Sequence, residues 1–156
     1  MPITQIIYAS RPFGFDAALL AGILMDARRC NTRDGITGAL ICRDDLFLQL
    51  LEGPDEEVEA AFGRIAEDDR HVEVRCLSRR TLDDAGRLFP RWAMRDDPAK
   101  SWVWSRSEID NGVLEQATQA EAIAIFERLA KLSTLDADVA KTLEMKANTF
   151  EIVPVK

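Results

Sequence analysis

Gln49 interrupts the run Leu46-Phe47-Leu48-Gln49-Leu50-Leu51, in which every other residue is large and apolar. A buried primary amide carries two donor hydrogens and two acceptor lone pairs. Leaving one of them unpaired costs about 1–3 kcal/mol. Gln49 therefore needs a dedicated partner. Tyr8 and Asn31 are the other polar residues in apolar settings, with Ser10, Arg64 and Asp68 less sharply so. Each has a plainer alternative. Tyr8 fits a core aromatic with its hydroxyl at the rim. Asn31 fits a helix C-cap, because Asn tolerates the left-handed conformation. Arg64 and Asp68, four apart, fit an exposed helical ion pair. His71, the single histidine, reads as structural.

The common catalytic arrangements are missing. One histidine supports no convincing Ser-His-Asp or Cys-His unit. No H-E-x-x-H, P-loop or G-x-G-x-x-G occurs. Cys30, Cys42 and Cys76 form no Cys-x-x-Cys pair, so neither a disulfide framework nor a zinc site is supported. Each reads as a small buried hydrophobe. A net charge of −7 argues against nucleic acid as a partner. The one basic cluster, Arg75, Arg79 and Arg80, reads as a solvated strand edge. No apolar run is long enough for a bilayer, and the N-terminus lacks a signal-like pattern, so a cytoplasmic protein without a membrane partner is expected. A cleft edged by Tyr, Asn and Gln suits a flat heterocycle gripped through amide hydrogen bonds.

The elements that must position these residues follow from periodicity. Ile3 to Ser10 is a strand rich in β-branched residues. Phe15 to Arg29 carries Leu19, Leu20, Ile23, Leu24 and Ala27 at helical spacing, with Asp16 in its first turn. A loop, Cys30 to Gly35, follows. Ile36 to Cys42 and Leu46 to Glu52 form a hairpin. A second helix opens at Gly53-Pro54, with Asp55, Glu56 and Glu57 suited to its dipole and Val58, Ala61, Phe62 and Ile65 as its stripe. Val72 to Ser78 alternates as a fourth strand, and Phe89 to Pro98 holds a fifth.

The order is β-α-β-β-α-β, a ferredoxin-like α+β sandwich with an added fifth strand. Both helices are expected on one face, with strands 1 and 3 central, adjacent and parallel. Residues 1–98 then make the core domain, and 99–156 a helical extension. In the extension a polar connector precedes a helix capped by Thr118 and Glu121, and a second helix spans Leu135 to Phe150. This pair is expected to pack on the open face of the sheet.

Tyr8 within IIYAS, Asn31 six residues before TGAL, Gln49 within FLQLLEG, Arg64 and Asp68 in RIAEDDRH, and the later RWAM together resemble the BLUF family of blue-light sensors using flavin. The likeness covers roughly Pro2 to Met94. It implies a non-covalently bound oxidised flavin, FAD with FMN possible, standing between the two helices. It implies that Asn31 holds the polar edge of the ring, that Gln49 lies between the flavin and Tyr8, and that Tyr8 donates an electron and a proton in light. Arg64 and Asp68 correspond to positions near the polar edge and side chain of the flavin, and Ser10 to a serine close to the tyrosine. Trp92 and Met94 correspond to strand-5 residues, one of which packs near the glutamine. Two departures stand out: the loop before Asn31 is shorter by one residue than in some relatives, and a small polar residue four before the asparagine is Ala27 here.

The implied function is photosensing without an enzymatic output domain. Light rearranges the hydrogen bonds of Gln49, and strand 5 passes the change to the C-terminal helices and on to a downstream signalling protein. A homo-oligomer, at least a dimer, is expected. Two rival classes use the same fold: an acylphosphatase-like hydrolase, and a light-independent small-molecule regulatory module. The loop ASRPFGF lacks the glycine pattern that cradles phosphate in the first.

Overall fold

The computed structural model describes residues 1–12, 14, 16–95 and 103–132. Strand β1 (Pro2–Pro12) leads to helix α1 (Ala17–Asp34), then to the hairpin β2 (Thr37–Arg43) and β3 (Leu46–Gly53). Helix α2 (Asp55–Glu67) and strand β4 (His71–Asp83) follow. A single 3-10 turn (Asp84–Gly86) and an irregular segment lead to β5 (Trp92–Arg95). Beyond it lie α3 (Arg106–Asp110), α4 (Val113–Gln116) and a helix α5 described over residues 119–132.

The strand order is β4-β1-β3-β2-β5. Strands β1 and β3 are central and adjacent, as expected, but they run antiparallel. The reason is the hairpin. Strand β3 returns beside β2 in the opposite direction and fits between β2 and β1. Strand β5 lies parallel to β2 at the sheet edge.

The pleat divides the sheet into two faces. Ile6, Tyr8, Leu40, Phe47 and Leu51 pack under α1 and α2, against Ile23, Val58 and Ala61. Ile7, Ala9, Ile41, Leu48 and Leu50 face the other way and meet Ile109, Ala122, Phe126 and Leu129 of α3 and α5. The helical extension therefore covers the face that α1 and α2 leave open. Its capping box is present: Glu121 N donates to Thr118 Oγ1 at 3.1 Å, and Thr118 N donates to Glu121 Oε1 at 3.4 Å. The expected second helix, from Leu135, lies outside the described residues. The expected polar connector instead carries α3, whose Ser105–Glu108 capping box stabilises even one short turn.

Both ends of α1 and the burial of the cysteines differ from the sequence reading. Asp16 is the N-cap of α1, accepting from Leu19 N at 2.7 Å, rather than part of its first turn. Helix α1 absorbs Cys30 to Asp34 and stops at Gly35, whose φ of 70° is the left-handed cap. Asn31 thus lies in the last helical turn, where its carbonyl accepts from Ile36 N at 2.9 Å. Of the cysteines, Cys42 is buried, Cys30 half-buried and Cys76 exposed, because Cys76 sits on edge strand β4.

Candidate functional site

Tyr8 and Gln49 are directly opposite each other across β1 and β3, on the face under the helices. Both are buried. The Gln49 side-chain nitrogen donates to the Tyr8 hydroxyl. At its other end, Gln49 Oε1 accepts from the Trp92 indole N–H at 2.8 Å. An indole N–H can only donate, so it fixes which end of the amide faces β5. The nitrogen must then face Tyr8. The partner that Gln49 requires is thus a pair, one on each side.

Burial pushes the Tyr8 phenol well above its usual pKa; the hydrogen bond from Gln49 opposes this, and the nearby Asp68 charge adds to it. Tyr8 is held firmly protonated. Its ring lies 5.6 Å from that of Phe62, so α2 closes over it.

Beside this chain lies a cavity of about 310 Å³ between α1, α2 and the sheet. Tyr8 and Gln49 line its floor, with Leu40 and Leu51. Ile23 and Ala27 of α1 and Ala61 and Ile65 of α2 line its sides. Polar groups also face it: Asn31, Asp26 and Arg29 from α1, Arg64 from α2, and Asp68, Arg70 and His71 from the turn into β4. Its volume is at the small end of the range of about 300–1,000 Å³ for ligand pockets.

Several expected partners are rearranged. Arg64 pairs with Asp34 at 3.5 Å, not with Asp68. Asp68 instead pairs with Arg70 at 2.6 Å, and Arg70 reaches across to Asp26 at 2.9 Å. Helix α2 ends at Glu67, which turns Asp68 away from the i, i+4 geometry. The Arg70 hydrogen bonds hold the Asp68 carboxyl below the usual range, and Asp68 in turn raises Arg70. Ser10 is fully buried and does not line the cavity; its hydroxyl bonds His71 Nδ1 at 2.8 Å. Burial lowers His71 to about 4, with Arg70 adding to this and Asp68 opposing it. The ring is therefore neutral near pH 7. Of the two strand-5 candidates, Trp92 bonds Gln49, whereas Met94 meets the Cys42 sulfur at 3.4 Å.

Sequence reasoning missed Arg70, Asp26, Arg29 and Cys30 as cavity residues, and treated His71 as structural. Arg70 gives no local signal, because its neighbours Asp68 and Asp69 are polar anyway. Only the fold brings Asp26 to it.

A family model described as sensors of blue-light using FAD, BLUF, matches residues 3–95. The chain belongs to the BLUF family. Its sensor region is 34% identical over 93 residues to photoactivated adenylate cyclase subunit beta of Euglena gracilis, covering 59% of this chain and 10% of that protein. Thus the chain spans a small fraction of the length of that cyclase subunit. Among solved structures, BlsA in its photo-activated state superposes with a TM-score of 0.64 at 26% identity, over 83% of this chain and 95% of that one. The dark-state structure of BlrB, a BLUF protein, gives 0.63 at 25%, over 83% and 96%.

The BLUF cavity passes a test of chemical fit to a flavin. Ala27 and Ala61, small residues on facing helices, leave room for a slab, and Ile23 and Ile65 offer apolar surface to its faces. Asn31 offers an amide to a polar edge, and Arg29, Arg64 and Arg70 supply cationic donors. Among the described residues no helix is long and apolar enough to cross a membrane, and no cluster suited to a metal occurs.

Proposed function

We propose that this chain holds a flavin, FAD by preference, between α1 and α2 and responds to blue light by rearranging the Gln49 amide. The observation that carries this reading is the continuous chain Tyr8–Gln49–Trp92, which runs from the cavity floor to β5. The flavin supplies a ring that absorbs blue light and, once excited, accepts an electron. Tyr8 is the donor. Loss of an electron would make the phenol strongly acidic, and its proton would follow the electron to the flavin and return with it when the charges recombine. Gln49 is the group in hydrogen-bonding contact with it.

The two ends of an amide are nearly equal in size but opposite in hydrogen-bonding sense. With the nitrogen toward Tyr8, the phenol oxygen accepts. With Oε1 toward Tyr8, the phenol donates instead. Rotation, tautomerisation or both interchange these patterns. A rotated amide would set its NH2 against the Trp92 N–H, donor against donor. Trp92 must then shift or release, which couples the switch to β5. Asn31, Arg64, Asp68 and Arg70, which line the cavity, would hold the polar parts of the flavin, and Ser10 would act through His71.

On this reading residues 1–98 are the sensor and 99–156 the output extension. The extension signals through a partner protein and supports a homo-oligomer, at least a dimer. Gln49→Leu is the direct test. It preserves volume and apolar packing, so the variant retains flavin but shows no light-induced red shift. A normal shift in that variant removes Gln49 from the mechanism.

A further inference from the structure

Glu52 is a carboxylate with no place in the mechanism above, yet its residue is completely buried. It lies three residues after Gln49 on β3, on the opposite face of the sheet. It stands in a row that crosses three strands in register: Arg80 on β4, Gln5 on β1 and Glu52 on β3. Arg80 Nε donates to Gln5 Oε1 at 2.7 Å, and Gln5 Nε2 donates to Glu52 Oε2 at 3.0 Å. The remaining oxygen, Glu52 Oε1, accepts from the Phe89 backbone N–H at 2.8 Å.

Phe89 belongs to the irregular segment between the 3-10 turn and β5, outside the sheet ladder. Side chains do much of the work of holding it. Arg87 Nη1 donates to the carbonyls of Gly35 and Glu52 and to Thr37 Oγ1, each within 3.1 Å. Three residues beyond Phe89 comes Trp92, bonded to Gln49. The segment from Phe89 to Trp92 is thus tied to β3 twice, by Glu52 on the extension's face and by Gln49 on the cavity face. The Phe89 ring also meets Phe126 of α5 edge-on, with centroids 6.4 Å apart.

We propose that Glu52 is a positioning residue for the switch: its carboxylate anchors the Phe89 backbone, fixes the register at which Trp92 meets Gln49, and makes Trp92 displacement felt at Phe126. This rests on the sensor reading above. A carboxylate suits the position because both its oxygens face donors. Burial raises its pKa, while the donors Gln5, Phe89 and Leu88 and the charge of Arg87 oppose that rise. An amide here would turn one donor against the Gln5 NH2. Gln5 cannot simply flip, because its oxygen is committed to Arg80.

The full-length, flavin-loaded chain tests this through a reversal of the row. In Glu52→Gln, the Gln5 contact becomes donor against donor. In the double variant Gln5→Glu, Glu52→Gln, Arg80 donates to the new carboxylate, the new amide donates to it as well, and Phe89 N–H still finds an oxygen. Glu52→Gln is expected to bind flavin normally but recover in darkness at least about tenfold faster, the effect of losing one charge-assisted hydrogen bond. The double variant is expected to return within about twofold of wild type, since every bond of the row is remade. Wild-type recovery in Glu52→Gln overturns the proposal, as does fast recovery in the double variant. Should Glu52→Gln fail to fold, the double variant and hydrogen exchange of the wild-type Phe89 amide decide. Strong protection in the dark supports the anchor, and exchange as fast as in an exposed loop overturns it. A wild-type chain with no photocycle at all refutes the sensor reading instead.

Discussion

At the scale of the residue, the sequence exposes Gln49 and Tyr8 because each breaks an apolar pattern, and burial makes such a break costly. Trp92 is what the pattern alone could not assign. Its role depends on β5 pairing with β2, which brings the indole over β3. Glu52 was equally hidden: at a strand end, before Gly53-Pro54, a glutamate reads as exposed. Two predictions belong here. Tyr8→Phe keeps the ring packing against Phe62 but removes the hydroxyl. It is expected to bind flavin and fail to cycle, as illuminated difference spectra would report; a full cycle would dismiss Tyr8 as the donor. His71 sets a pH dependence. Its pKa falls from 6.5 to about 4 on folding. Between those values the unfolded chain binds the extra proton, so His71 costs stability as pH drops from 6.5 toward 4, and the cost is constant below. The stability gap between wild type and His71→Gln should therefore move against wild type across that window in denaturant titrations. A gap independent of pH would contradict a buried neutral ring.

At the scale of the element, both helices were legible because their apolar spacing matches the helical period, and the hairpin because two short apolar runs flank the polar turn Arg43-Asp44-Asp45. The end of α1 was not. Cys30 to Asp34 is rich in turn formers, but the decisive stop is the left-handed Gly35, where the Asn31 carbonyl accepts from both Gly35 N and Ile36 N. The direction of β3 against β1 followed from the hairpin rather than from either strand's own sequence. Strand β2 carries a sharper constraint at Gly38. Its φ is 151°, and a Cβ there would lie 1.9 Å from the Leu50 carbonyl oxygen. Gly38 also pairs in register with Trp92. Gly38→Ala is expected to cost at least about 1–3 kcal/mol, the usual toll of such backbone strain, and to disturb β5. Chemical denaturation checks this, and an unchanged midpoint would refute the close approach.

At the scale of the molecule, the sheet is a partition between the cavity face, under α1 and α2, and the face that the helical extension covers. Surface charges and apolar packing both hold the extension in place, and their magnitudes differ. Arg11 pairs with Asp110 at 3.1 Å and Arg75 with Glu115 at 3.9 Å, both at the surface. Such pairs contribute about 0–1 kcal/mol each. Phe126 is fully buried between Phe89 and the sheet. Phe126→Ala is expected to cost about 3–5 kcal/mol, whereas Asp110→Asn should cost little. The reverse ranking in thermal or denaturant unfolding would mean that charge, not packing, docks the extension.

The central claim concerns the amide of Gln49, whose hydrogen bonds join the cavity floor to β5. A light-minus-dark absorption spectrum of the purified wild-type chain offered flavin most directly tests the light response on which that claim rests. The account predicts a yellow protein whose flavin band shifts reversibly to the red in blue light and returns in darkness. A colourless chain that takes up no flavin, or a bound flavin whose band does not move, would contradict it.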